Sequence, residues 1–270
     1  MDINDLRETA HLSASGIRDY LDCGLLYKFS RIDKLQPESY PDSLVLGQAV
    51  HRVLADFYQK LQAGIRLAQK HLEEAFDHHW EALAHGRGDI QYKSGKSFHT
   101  YRDEGKALLA AFNRDLPQED SRVLGVEQAF TAKVEGLPVP LIGIFDLILI
   151  DPAGIVTIVD HKTASKAYPL ADVNQNLQMT IYHLAARANG FGEKDILLRL
   201  DCLIKTKTPK FEQYYTARSD WEEQRVIKKV QAVWEGISKG VFIPNDGGWK
   251  CRSCGHKSAC RDWFATGNAA

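Results

Sequence analysis

Three cysteines crowd residues 251–260 as Cys251, Cys254 and Cys260, and a fourth, Cys23, stands far upstream. A CxxC step lets two thiolates of one tight turn grip a single ion or cluster. The fourth sulfur can arrive only by a return of the chain, so the two ends are expected to meet at an inorganic centre. The chain has five cysteines, and a disulfide framework would leave one unpaired. Metal-bound thiolates in a reducing cytoplasm are the more economical reading. Four thiolates suit zinc as well as iron-sulfur, and His256 is a substitute for one sulfur in the zinc alternative. Cys202 alternates with apolar neighbours and reads as a small core residue.

A second constellation lies between these ends. Asp146 interrupts the apolar run 141–150, and Asp160 interrupts the run beginning at Ile155. Two carboxylates facing one another in an apolar setting repel, and each loses hydration. A hard divalent cation, Mg2+ or Mn2+, relieves both costs. Lys162 beside them can orient a water or stabilise charge on a phosphate oxygen, which makes a hydrolytic site. The rival reading is a buried acid-lysine ion pair at a sheet end. His51 follows Gly47 by one helical turn, and a lone helical histidine is by itself a weak signal. Gln178 and Tyr182 are also one turn apart, so their polar ends can point the same way.

The elements that must position these groups follow from periodicity. Ser13 or Ser15 caps a first helix that ends near Cys23. Leu46, Val50, Val53, Leu54, Phe57 and Leu61 form one stripe of a helix from about 42 to 62. The region 64–117 is helical and charged, a lobe inserted before the sheet. Strands are predicted from near Arg122, over 141–150 and over 155–162. Pro152-Ala153-Gly154 makes a three-residue hairpin loop that pairs Asp151 with Ile155. That register sets Asp146 opposite Asp160, with Lys162 on the same face. A helix over about 172–189, strands over 196–205 and 211–216, and a helix over 220–239 complete the order. The predicted fold is α/β, a mixed sheet with helices on both faces.

The chain has 270 residues, of which 44% are hydrophobic, enough for one large domain. No apolar run of about 18 residues predicts a membrane helix. The opening residues are acidic and polar, unlike a signal peptide, so a cytoplasmic protein is expected. Net charge is -1, but residues 194–261 carry 14 Lys and Arg against 8 Asp and Glu. A local positive surface is all that phosphate binding requires. Gly95-Lys96-Ser97 imitates the end of a P-loop, but no apolar strand precedes it and the upstream glycine is misplaced. His71, His78, His79 and His85 read as surface histidines.

Leu12-Ser-Ala-Ser with Cys23, Gly47-Gln-Ala-Val-His51, Gly143-Ile-Phe-Asp146, Asp160-His-Lys162, Gln178-Met-Thr-Ile-Tyr182 and the closing cysteines occur in the order seen in RecB-like nucleases. The chain thus resembles the iron-sulfur branch of the PD-(D/E)XK superfamily, which includes the AddB C-terminal nuclease and the CRISPR-associated adaptation exonucleases. The resemblance implies a restriction-endonuclease-like core over 1–270, with 64–117 an insertion and 245–264 joining Cys23 in an iron-sulfur subdomain. It implies that His51, Asp146 and Asp160 hold the metal, with the backbone carbonyl of His161. Lys162 would be the catalytic lysine, Gln178 and Tyr182 its accessory pair, and Glu127 a supporting glutamate. Cys23, Cys251, Cys254 and Cys260 would ligate a [4Fe-4S] cluster. One departure is Gly24, where the family has proline after the first cysteine. The expected activity is a Mg2+- or Mn2+-dependent exonuclease acting on single-stranded DNA ends, in repair, recombination or phage and CRISPR defence. The alternatives are a DNA-end-binding subunit that depends on a helicase or integrase partner, and a restriction-like endonuclease.

Overall fold

The computed structural model describes residues 2–118 and 120–265. The chain opens with α1 (Ile3–Arg7), α2 (Ala14–Asp22) and α3 (Gly24–Tyr27), and a π-type turn over Lys28–Ile32 follows. A two-residue strand β1 (Tyr40–Pro41) leads into α4 (Asp42–Gln62). Then come α5 (Gln69–Ala84), β2 (Ile90–Gln91) and α6 (Phe98–Asp115). The sheet begins with β3 (Arg122–Ala132), β4 (Leu141–Ile150) and β5 (Val156–Ala164). Helices α7 (Leu170–Asn174) and α8 (Leu177–Ala186) cross to β6 (Ile196–Ile204) and β7 (Lys210–Thr216). The chain closes with α9 (Asp220–Ser238), a 3-10 turn over Trp249–Ser253 and α10 (Lys257–Ala265).

Five strands pair in the order β3-β4-β5-β6-β7. β5 and β6 run parallel, and their crossover is the α7-α8 segment; the other pairs are antiparallel. One face packs Phe145, Ile148, Ile158 and Leu200 against Ile17 of α2, Met179 and Tyr182 of α8 and Val230 of α9. The other packs Leu147, Val159 and Leu203 against Val50 and Leu54 of α4, Phe76 of α5 and Phe112 of α6. Helices therefore cover both faces, as the sequence predicts, and α5 and α6 share one core with α4 and the sheet.

The predicted hairpin is present. Gly154 takes φ +87°, and the Asp151 N–H donates to the Ile155 carbonyl at 3.1 Å. The β4-β5 ladder then runs from Ile150-Val156 to Leu147-Val159, so the next step in register is Asp146 with Asp160. The single helix predicted over 172–189 is instead two. The Asn176 side chain accepts from the Gln178 and Met179 N–H groups at 3.0 and 3.2 Å, so it starts a new helix where the periodic pattern suggested continuity. A π-type turn over Arg187–Phe191 ends it.

The two ends of the chain meet. Tyr20 donates its hydroxyl to the Val241 carbonyl at 2.6 Å, and the Asn245 side-chain amide donates to the Asp22 carbonyl at 2.9 Å. Lys250 pairs with Asp22. Gly24 explains its own departure from the proline pattern. Its N–H donates to the Ile243 carbonyl at 2.8 Å, which proline cannot do. A Cβ there would fall 2.5 Å from the Ile243 nitrogen and 2.7 Å from the Phe242 carbonyl carbon. Those are backbone atoms with no rotamer to give way. Gly24→Ala is therefore expected to lower stability by about 1–3 kcal/mol and to detach the C-terminal segment. Denaturant unfolding and limited proteolysis around 241–250 measure this; wild-type resistance in both would contradict the packing.

Candidate active site

Where the β4-β5 ladder stops, a side chain takes over from the backbone. The Asp146 Oδ2 accepts the His161 N–H at 2.8 Å, a donor that no strand partner meets there. Asp146 also marks a shift in side-chain alternation, because Phe145 and Ile148 both enter the same core. On the neighbouring strand, Glu127 adopts φ +48°, a left-handed conformation rare for a residue with a side chain. The pairs Gln128-Phe145 and Val126-Leu147 flank these two residues, so the β3 and β4 kinks lie side by side. That paired irregularity aims two carboxylates past the sheet instead of into either core.

His51 comes in from α4. Its Nδ1 lies 3.5 Å from Asp146 Oδ2. Gly47, one turn earlier, lets α4 approach closely: a Cβ there would meet Thr163 Oγ1 at 3.3 Å. Among the described residues, the donor atoms of His51, Glu127 and Asp146 form a group of possible metal ligands, all within 4.8 Å of one another. Glu127 has thus moved from a supporting role in the sequence reading to the centre of the donor set. Its signal was a lone acid in a strand, and only pairing with Asp146 gives that meaning.

Asp160 lies outside that group and on the α8 side of the sheet. It is 1% exposed. Lys162 Nζ stands 2.6 Å from its Oδ2, and Gln178 Nε2 donates to its Oδ1 at 2.8 Å. Gln178 also accepts from Lys162 Nζ at 3.1 Å and donates to the Tyr182 hydroxyl at 2.8 Å. The four polar groups predicted from β5 and α8 therefore form one connected network. Asn176 sets it, since capping α8 fixes Gln178 in the first turn. The Tyr182 ring packs edge-on to Phe145 and Phe130, with centroids 5.4 and 5.8 Å away.

The His161 side chain takes the opposite face, and only its backbone belongs to the polar cleft. Its ring stacks on Tyr58 at 5.5 Å and meets the His51 ring edge-on at 6.0 Å. Beneath it, Arg199 and Asp201 form a buried ion pair, Nε to Oδ1, at 2.8 Å. Arg18 of α2, which the sequence gave no reason to single out, is exposed, and its charge acts on Lys162 as a minor opposing influence.

The electrostatics are those of crowded, poorly hydrated acids. Loss of hydration, then the charge of Asp160, pushes Asp146 up to about 6, against the opposing pull of His51 and Lys162. Loss of hydration and the Asp146 charge push Glu127 up to about 7, although the residue opens to solvent. Burial alone would lower Lys162, but the Asp160 and Asp146 charges outweigh it, and the ammonium is held above its ordinary value. Burial, with the two aspartates, drives Tyr182 well upward, so its hydroxyl stays neutral. Burial drives the His161 ring well downward, so it is neutral too.

The thiols of Cys23, Cys251, Cys254 and Cys260 converge at the other end of α2. Burial, then the charges of Cys23, Cys254 and Cys251, raise the Cys260 thiol. The Asn245 N–H points at Cys23 Sγ from 3.4 Å, and Cys251 Sγ donates to the Asn245 carbonyl at 3.1 Å. His256 is buried, with its ring 6.2 Å from that of Phe29. Cys202 is fully buried in the core, and burial pushes its thiol up to about 12.

No curated protein sequence matches the chain. A solved structure from Eubacterium rectale, named "Putative exonuclease", superposes with a TM-score of 0.59 at 12% identity, covering 93% of this chain and 89% of that one. At that identity the likeness shows the fold alone. The structure of SSO0001 aligns over 95% of this chain and 94% of that one at 12% identity, with a TM-score of 0.36 that carries no argument. The family model described as the PD-(D/E)XK nuclease superfamily matches residues 11–261. This match spans nearly the whole chain, sheet, cleft and cysteines included, and the chain belongs to the PD-(D/E)XK nuclease superfamily.

Proposed function

We propose that this nuclease-family chain is a divalent-metal-dependent deoxyribonuclease that hydrolyses phosphodiesters from DNA ends, preferably single-stranded ones. The observation that carries the reading is the convergence of His51, Glu127 and Asp146 on one point beside the Asp160-Lys162-Gln178 network. The donor set fits a hard cation. It offers two carboxylates and an imidazole, and loss of hydration, then a neighbouring aspartate charge, raises both acids. A divalent ion held there supplies charge neutralisation, polarisation of a phosphate oxygen and a more acidic water. The name of the Eubacterium rectale protein supports the exonuclease part of the reading.

The residues divide the remaining work. Lys162 keeps its proton, because the aspartate charges hold it above its ordinary value. It therefore acts as a fixed cation against charge developing on the phosphate, and not as the base. Asp160 and Gln178 hold that ammonium in place, one through an ion pair and the other through its amide oxygen. Tyr182 locks the Gln178 amide orientation from behind. Asp146 links the two halves, since one oxygen takes the His161 N–H and faces His51.

The cysteine centre is proposed to be a [4Fe-4S] cluster that fastens the chain ends. The four thiols influence one another electrostatically, and a CxxC step with a distant fourth cysteine suits a cluster. The buried His256, packed by Phe29, is a poor substitute ligand.

Three outcomes test these readings. With Mn2+ and end-labelled oligonucleotides, Asp160→Asn or Lys162→Gln is expected to reduce cleavage by at least about 100-fold while the circular dichroism spectrum is unchanged; cleavage at the wild-type rate removes the mechanism. Asp146→Asn is expected to abolish Mn2+ binding yet stabilise the metal-free protein by about 1–3 kcal/mol at pH 8. The sign follows from the raised acid: its ionised form is disfavoured by folding, so the penalty appears as pH rises through about 6 and fades below it. Thermal melts at pH 5 and pH 8 measure this, and a gain no larger at pH 8 contradicts it. Anaerobically purified protein is expected to be brown, with stoichiometric iron and absorbance near about 400 nm; a colourless protein with one zinc per chain overturns the cluster.

A further inference from the structure

Past the end of β5 that bears Lys162, the surface sinks into a recess of about 360 Å3. Three lysines line it from three separate segments: Lys93 from the β2-α6 connection, Lys166 from the loop after β5, and Lys205 just beyond β6. Ser43, in the first turn of α4, and Thr163 add hydroxyls, and Tyr168 adds an aromatic wall. Asp172 is the carboxylate on this lining. Among the described residues, none of the three lysines is ion-paired to a carboxylate; Glu104 nearby pairs with Lys96 instead, at 3.0 Å.

The fold works to keep these cations together. Asp42 is 2% exposed, and its oxygens tie three segments together. They accept the Ser43 N–H at 2.6 Å, the Lys93 N–H at 2.8 Å and the Tyr101 hydroxyl at 2.6 Å. Asp42 thus pins the Lys93 backbone to the start of α4, where the helix dipole adds positive potential. On the opposite wall, the Lys205 N–H donates to the Ala164 carbonyl at 2.7 Å, tying the β6 exit to the β5 exit. Burial pulls the Lys205 ammonium below its ordinary value, with Glu104 and Asp42 opposing and Lys93 and Lys96 adding to the effect. Such a group gains from an anion that enters the recess.

We infer that this recess is a second phosphate subsite, seating the phosphate next to the one being cut and offering the Tyr168 ring to the adjoining base. This identification of the occupant rests on the nuclease reading above. Two residues of strand, about 7 Å, separate Lys162 from Ala164, so the recess lies one nucleotide step from the cleft along β5. A basic groove beside an aromatic face is how single strands are held without regard to sequence. Tyr168 is half-buried and braced edge-on by Tyr214 at 6.3 Å, so its ring is already in place.

The test is anisotropy of a fluorescein-labelled single-stranded oligonucleotide in EDTA, where nothing is cut. The triple variant Lys93→Gln, Lys166→Gln, Lys205→Gln is compared with a charge-matched control, Lys70→Gln, Lys228→Gln, Lys229→Gln. The recess variant is expected to bind at least about tenfold more weakly, with a log-log salt slope flatter by about 2, and the control less than about twofold more weakly. Equal weakening in both variants, or none in the recess variant, overturns the subsite. Oligonucleotides ending in a 5′-phosphate, a 3′-phosphate or neither separate the two sources of the anion. A terminal phosphate confines the loss to one of them, an internal phosphate spreads it over all three, and either pattern supports the subsite. Wild-type protein that binds through these lysines but never cleaves with Mn2+ sinks the nuclease reading and leaves the subsite standing.

Discussion

Two acids one ladder step past the end of a hairpin govern the rest of this structure. The Asp146 and Asp160 side chains are brought together by strand register, and both are buried beside apolar neighbours. The fold answers this in two ways. On the α8 side, Lys162 and Gln178 absorb the charge of Asp160. On the α4 side, His51 and the His161 N–H face Asp146, but they fall short, and its carboxyl is pushed up to about 6. The proposed cation would sit on the uncompensated half, and the compensated half holds Lys162 in its charged form.

Much of this was legible because a period of two leaves little freedom. Once Pro152-Ala153-Gly154 is a three-residue loop, the positions of Asp146, Asp160 and Lys162 relative to one another follow by counting. Gln178 and Tyr182 were legible for the same reason at a period of 3.6. Glu127 was harder. Its partner strand is joined by a longer connection, and its side chain reaches the site only through a positive φ that no propensity scale anticipates. The break before α8 was missed because Asn176 is an unremarkable residue inside an amphipathic pattern until its side chain is seen capping the Gln178 and Met179 amides. The phosphate recess was invisible, since Lys93, Lys166 and Lys205 are scattered in sequence and meet only because three loops share one end of the sheet.

The two faces of β5 are used differently. Asp160 and Lys162 look toward α8, and His161 looks toward α4. The His161 ring is buried with neither nitrogen hydrogen-bonded among the described residues, which is costly, and the Arg199-Asp201 pair beneath it is expensive too, since both charges leave water. Apolar residues of similar volume would serve stability as well. What the pair adds is direction: a bidentate guanidinium-carboxylate contact fixes the floor on which the His161 ring rests. Fixing that ring fixes the backbone N–H that holds Asp146.

Helix α2 starts at its N-cap Ser13, packs on β4 and α8, and ends at Cys23. The C-terminal segment grips the far end of that helix through Tyr20, Asp22, Gly24 and the cysteines. Without such a grip, a nine-residue helix has little to keep it ordered, because nucleation is costly and short helices depend on tertiary contacts. The C-terminal segment therefore matters for the cleft at a distance, because it braces the helix that packs on β4 and α8.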